Sequence, residues 1–95
     1  GGVMISTHPF TWRAEHRCRA IMRDGVVEHL APPEFHGNPV SAKGSLVFTV
    51  PGWQILDDCR QAGFQRAEMV MIASTQRAIF GAADTPFINV LRAYK

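Results

Sequence analysis

Three stretches of this chain are apolar on both sides of an extended backbone. Val3, Met4 and Ile5 form a buried-looking run near the start. Residues 67–74, AEMVMIAS, put Met69 and Met71 on one face and Val70 and Ile72 on the other, and residues 87–95, FINVLRAYK, are apolar on both faces as far as Ala93. Successive side chains of a strand point to opposite faces, so such runs need cover on two sides. One segment has the pattern to supply it. Over residues 53–62, Ile55, Cys59 and Ala62 recur at i, i+4 and i+7 with Leu56 beside them, while Asp57, Asp58, Arg60 and Gln61 fall on the opposite side. Pro51-Gly52 begins that helix and Gly63 stands where a left-handed cap is wanted. A single short helix covers one face of a sheet, so the second face is expected to be covered by residues outside this sequence or by another chain.

Length sharpens the imbalance. A chain of 95 residues makes one domain at most, and at that size only about 60% of the unfolded surface, or a little more, is buried. No apolar run approaches the roughly 18 residues of a membrane span, and no secretory leader is visible, so no membrane partner is expected. Cys18 and Cys59 lie far apart with no CxxC grouping, which favours two reduced packing residues and a cytoplasmic location. Ten Lys and Arg against eight Asp and Glu leave a net charge of +2, too small to argue for nucleic acid. The local excess at Arg13, Arg17, Arg19 and Arg23 has no interleaved aromatics on which bases could stack.

Read in order, residues 1–7 are a strand running to His8-Pro9. Residues 11–30 are an inserted hairpin in which Glu15, Arg17, Arg19 and Ile21 alternate with His16, Cys18, Ala20 and Met22; Asp24-Gly25 makes the turn and VVEHL returns. The arginine side is expected to be solvated and the Cys/Ala/Met side packed. Residues 31–44, APPEFHGNPVSAKG, read as a long loop because of Pro32, Pro33, Gly37, Pro39 and Gly44. Residues 45–95 follow as strand, helix, strand and strand, with the chain turning through residues 81–86. Met4, Met22, Met69 and Met71 are expected to fill the core.

The stretches GGVMISTHPF, HLAPPEFHGNPV, GWQILDDCRQAGF, AEMVMIAS and FINVLRAYK, in this order, resemble the C-terminal half of a class I S-adenosylmethionine-dependent methyltransferase. The resemblance covers essentially the whole chain and implies an α/β fold, seen as α+β in a fragment, whose last strand lies antiparallel between its two neighbours. It also implies S-adenosylmethionine as cofactor and a small molecule or another methyl acceptor as partner. The family's glycine-rich first turn and ribose-binding acidic residue have no counterpart, because no GxG occurs in the sequence. The chain alone is therefore expected to bind no cofactor and to transfer no methyl group.

Ligands of open α/β sheets bind beyond the carboxyl ends of the strands. His8, Phe10 and Trp12 follow the first strand and are candidates to line a substrate pocket, with ordinary strand-end packing as the alternative. His36 and Asn38 are candidates to close over a substrate from the 31–44 loop, unless Asn38-Pro39 merely turns the chain and His36 is solvated. No catalytic residue is assigned. Glu28, His29, Glu34 and His36 fall close together, but their spacing matches no metal motif of known geometry. Cys59, on the inner helical face, reads as an inert thiol. A reading of a different class is a non-catalytic α+β module whose open edge strand pairs with a copy of itself.

Overall fold

The computed structural model describes residues 1–81 and 86–95. In chain order the elements are β1 (Val3–Ser6), β2 (Arg17–Cys18), β3 (Ala20–Arg23), β4 (Val26–His29), β5 (Phe35–Asn38), β6 (Ser41–Leu46), β7 (Thr49–Val50), α1 (Gln54–Gln61), β8 (Arg66–Ile72) and β9 (Ile88–Tyr94). Every strand pairing among the described residues is antiparallel, so the molecule is a small, mostly β, mixed α+β protein rather than an α/β one. It divides into two compact units, Gly1–Phe10 with Gln54–Lys95, and Thr11–Trp53. The turn expected at residues 81–86 falls largely on 82–85, outside the described residues.

The first unit is built on a three-stranded sheet of order β1-β9-β8. β9, last in the chain, lies in the middle and antiparallel to both neighbours, the order expected above. Its register lines up Met4, Ala93 and Ala67 across the three strands, and next to them Ser6, Leu91 and Met69. These residues share one face. Cys59 of α1 is buried with Ala67, Leu91 and Ala93, and Met4, Ile55, Leu56, Phe64 and Met69 pack around them. The two facing alanines keep that part of the sheet low enough for a helix to approach. α1 ends in a Schellman arrangement: Gly63, at φ 104°, donates to the Arg60 carbonyl at 3.0 Å and Phe64 donates to the Cys59 carbonyl at 3.1 Å. Phe64 thereby turns back onto the core beside Cys59.

The other face of this sheet carries Val3, Ile5, Val70, Ile72, Val90 and Ile88. Val3 is 54% exposed and Ile5 65%, and Ile72 and Ile88 are exposed too. A lone helix covers a single side, as the pattern predicted. The first strand, read as buried, is an edge strand with two exposed aliphatic side chains, because its only described partner is β9. At one end of the open face, Arg92 and Arg66 both donate to the Glu68 carboxylate and both guanidinia stack on the Tyr94 ring, 5.5 and 5.0 Å from its centroid. Met71 is exposed rather than core filler.

The second unit contains three two-stranded ladders, β2-β7, β3-β4 and β5-β6. Asp24 and Gly25 both take positive φ, 51° and 76°, so the β3-β4 turn is the primed kind the dipeptide predicts. The alternation upstream of it does not persist. At Arg19 the backbone slips: the amides of Arg19 and Ala20 both donate to the Phe48 carbonyl, at 2.7 and 3.1 Å, and the Arg19 carbonyl accepts from both Leu30 and Ala31. Doubling two residues onto one partner has the hydrogen-bonding pattern of a bulge, and it changes which side chains share a face. Arg19 consequently turns inward, with its side chain only 10% exposed, beside Ala20, which is buried as expected; Cys18, expected to pack, is exposed, as is Met22 near the far end of β3.

Of residues 31–44, expected to be a loop, only 31–34 are irregular. β5 and β6 form a hairpin whose special residues do the work of a turn and a bulge. The Asn38 Oδ1 accepts from the amides of Val40 at 2.8 Å and Ser41 at 2.7 Å, and Pro39 sits where its missing N–H leaves no gap in the ladder. The register shifts between His36 and Asn38, at Gly37. Gly44, at φ 76°, crosses so close to the His36 carbonyl that no Cβ fits. Composition rich in Pro and Gly suits a compact irregular hairpin as well as a loop, and only the register separates them.

Candidate functional site

β1 ends at Ser6, and His8 follows two residues beyond its carboxyl end. The His8 Nδ1 lies 2.9 Å from the Pro9 carbonyl oxygen. An oxygen there accepts, so Nδ1 carries a proton. That Nε2 is buried and has no hydrogen-bond partner among the described residues. An unpaired buried polar atom is costly in a folded protein and calls for a reason. Phe10, half-buried, closes the first unit's N-terminal segment.

The remaining candidates belong to the second unit. Trp12 is exposed and meets Trp53 edge-on, with ring centroids 5.8 Å apart at 62°. His36 is exposed on β5, opposite Ser45. Asn38 is committed to its own hairpin, since besides the two amides it accepts, its Nδ2 donates to Ser45 Oγ. Its amide is structural, and the turn reading of Asn38-Pro39 holds. The structure therefore joins His8 with Phe10 in one unit and Trp12, His36 and Asn38 in the other.

The sequence reading gave His16 a place in the hairpin and Gly52 the start of the helix, and missed that the two meet. The His16 Nδ1 accepts from the buried Gly52 amide at 3.0 Å, while Thr11 donates to the Pro51 carbonyl and Trp53 to the Arg13 carbonyl. Entry and exit of the second unit are thus laced together. Gly52 has the Arg13 and Glu15 carbonyl oxygens where a Cβ would be, the Arg13 oxygen at 2.6 Å. A Pro-Gly pair before a helix reads as a strand end in sequence. Nothing local to it announces a backbone crossing 36 residues from His16.

The acidic and thiol groups are occupied structurally. Glu28 pairs with Arg23 at 3.2 Å, and Glu34 stands 3.4 Å from the Arg19 Nε. Arg19 also donates from a terminal nitrogen to the Pro32 carbonyl at 2.7 Å. Among the described residues, no three His, Cys, Asp or Glu side chains converge as a metal site would require. Burial, helped by the Asp58 carboxylate and opposed by the Arg60 guanidinium, pushes the Cys59 thiol above its ordinary value, away from the reactive thiolate.

An adenosyl cofactor would need a glycine turn open to it at a helix start. The strand-to-helix turn preceding α1 contains Gly52, whose missing Cβ space is filled by the Arg13 and Glu15 carbonyls instead. These residues do not fit such a group. No helix among the described residues is long and apolar enough to cross a membrane. No family model matches the chain, and neither a curated protein nor a solved structure matches it.

Proposed function

We propose that this chain is the C-terminal, acceptor-side portion of a class I S-adenosylmethionine-dependent methyltransferase, with the cofactor-holding half supplied by residues outside the sequence. The observation that carries the reading is the sheet order β1-β9-β8, with the last strand antiparallel in the middle. It combines with the sequence stretches that resemble that family, and with an open sheet face that a further layer would cover. An all-antiparallel three-strand sheet with one helix also arises in other ways, so the sequence stretches and the strand order are needed together.

In this reading the methyl acceptor binds beyond the carboxyl end of β1. His8, its Nδ1 bonded to the Pro9 carbonyl, contributes the unpartnered Nε2, and Phe10 contributes apolar cover. Reactions of this class depend mainly on positioning the acceptor and excluding water. The residues in hand provide no cofactor cradle, so the chain by itself performs no methyl transfer.

The decisive test is the genomic sequence immediately before the Gly1 codon. A strand, a glycine-rich turn and a helix, with an acidic residue at the end of the next strand, is expected there. An in-frame stop or an unrelated coding sequence overturns the proposal. Calorimetry gives a second check: the chain titrated with S-adenosylmethionine should release no heat, and micromolar binding would contradict the assignment of the cofactor to other residues.

A further inference from the structure

β1 and β8 both run antiparallel to β9, so they are parallel to each other and their carboxyl ends share one edge of the sheet with the start of β9. Three features of the first unit gather at that edge. His8 follows β1, Asn89 is the second residue of β9, and a cavity of about 510 Å³, lined by Ala73, Ser74, Thr75, Gln76, Phe80 and Pro86, lies just past the end of β8. The β1-β9 register, carried two residues past Ser6, sets position 8 beside Asn89, which pairs on its other side with Met71. Asn89 alternates with Leu91 and Ala93, so it belongs to the face that α1 covers.

Among the described residues, the buried side-chain polar atoms without a hydrogen-bond partner are His8 Nε2, Asn89 Oδ1 and Arg19 Nε. Arg19 Nε has the Glu34 carboxylate 3.4 Å away. The other two fall in one row of one sheet. Neither is owed to a missing neighbour of β1, because both are side-chain atoms already enclosed by this chain, and β9 has a strand on each side. Buried orphans are rare in folded proteins, and a role towards a bound group is among the reasons they persist. As whole residues His8 and Asn89 are only half-buried, so side-chain rotations are enough to bring the two atoms to a ligand.

We propose that this edge binds a small molecule by a hydroxyl or primary amino group held between Asn89 Oδ1 and His8 Nε2, with an apolar body in the cavity past β8. Asn89 Oδ1 only accepts, so the ligand must donate to it. A hydroxyl both donates and accepts and therefore suits His8 Nε2 with or without a proton there; an amine donates to both atoms when Nε2 is unprotonated. A carboxylate has no donor and sets lone pairs against Oδ1. Head and body lie two strand spacings apart, about 10 Å, which one ring on a short arm spans. The exposed Phe80 ring gives the body an aromatic wall. Identifying this ligand as the methyl acceptor rests on the methyltransferase reading; the binding itself does not.

The experiment follows the His8 ring, the Asn89 side-chain amide and the Ala73 methyl of the 95-residue chain by NMR. The probes are phenethyl alcohol, phenethylamine and phenylacetate, which share one ring and differ in the head group. Alcohol and amine should move all three signals at millimolar concentration, while phenylacetate should leave His8 and Asn89 unmoved. Asn89→Leu, similar in size and apolar on an apolar face, should keep the wild-type circular dichroism and raise the dissociation constant for the alcohol at least about fivefold. Phe80→Ala, at an exposed position, should weaken alcohol and amine alike, and it serves as the test if the Asn89 variant does not fold. Equal shifts with phenylacetate, no movement of His8 and Asn89 with any probe, or a folded variant that binds the alcohol as wild type does each overturn the proposal. Failure of the methyltransferase reading looks different, because the upstream codons then encode no cofactor half while the alcohol still binds.

Discussion

The two units of this molecule are held together by different physics. In the first, one amphipathic helix closes over small and branched side chains on a three-stranded sheet, and its stability is mainly apolar area removed from water. In the second, among the described residues, only Ala20, Val47 and the backbone of Gly52 are buried, and the three ladders are tied by backbone crossings and a half-buried arginine. Apolar burial tolerates small shape changes gradually. Lacing by specific amides and carbonyls does not, because each lost acceptor leaves a donor stranded. The first unit should therefore respond to lost volume and the second to lost geometry.

Four measurements break or sharpen that contrast. The largest effect is expected for Leu91→Ala, which opens a cavity beneath α1 at a residue 3% exposed; urea unfolding should lose roughly 2–5 kcal/mol. A loss well under 1 kcal/mol would mean the helix-covered face is not the main source of stability. Next comes Gly52→Ala, whose methyl group meets the Arg13 and Glu15 carbonyls. It should cost about 1–3 kcal/mol and speed amide exchange at Thr11 and Trp53, whose bonds flank the crossing. If exchange quickens in β8 and β9 instead, the damage is not confined to the laced region.

Arg19→Met keeps the length of the side chain while deleting the bond to the Pro32 carbonyl and the attraction to Glu34. A loss of about 1.5 kcal/mol is expected, read by urea unfolding, with the β3-β4 and β5-β6 amides exchanging faster. An unchanged midpoint would show that the arginine is not a tie. The smallest effect belongs to the exposed cluster on the open sheet face. Hydrogen bonds from Arg92, and then Arg66, hold the Glu68 carboxyl below its ordinary value against a minor opposing effect of burial. A carboxyl depressed in the folded state stabilises at pH values above its unfolded range, and that contribution fades as the pH falls through the acidic region towards the folded value. The acid limb of the stability profile should accordingly flatten slightly in Glu68→Gln, and an unaltered limb would show that solvent already screens the cluster completely.

The first unit is also the part that pattern made readable. Ile55, Leu56 and Cys59 at helical spacing, Gly63 as the C′ residue and the two-faced runs of β8 and β9 are local signals whose meaning survives folding. Ala62, assigned to the inner face, is exposed because the helix has ended by then. The second unit kept its readable turn at Asp24-Gly25 and hid the rest. The doubled bonding at Arg19 brought that side chain inward beside Ala20, against the expected alternation, and left Cys18 exposed. His8 stands just past the carboxyl end of β1, as its place in the sequence implied, but its bond to the Pro9 carbonyl depends on where the fold points that oxygen. Asn38 looked like a ligand-closing residue until its amide proved to be spent on its own turn.

By itself the sequence determined that one helix would have to serve strands apolar on both faces, because periodicity fixes how much apolar surface each element presents. It also fixed the primed turn and the helix stop, which depend on the φ values that Asp, Gly and their neighbours tolerate. Tertiary structure alone decided which sheet face the helix covers, that the last strand lies between the other two, and that Gly52 lies against residues far earlier in the chain. Those outcomes depend on register and on contacts between distant backbone groups, and no local pattern encodes either.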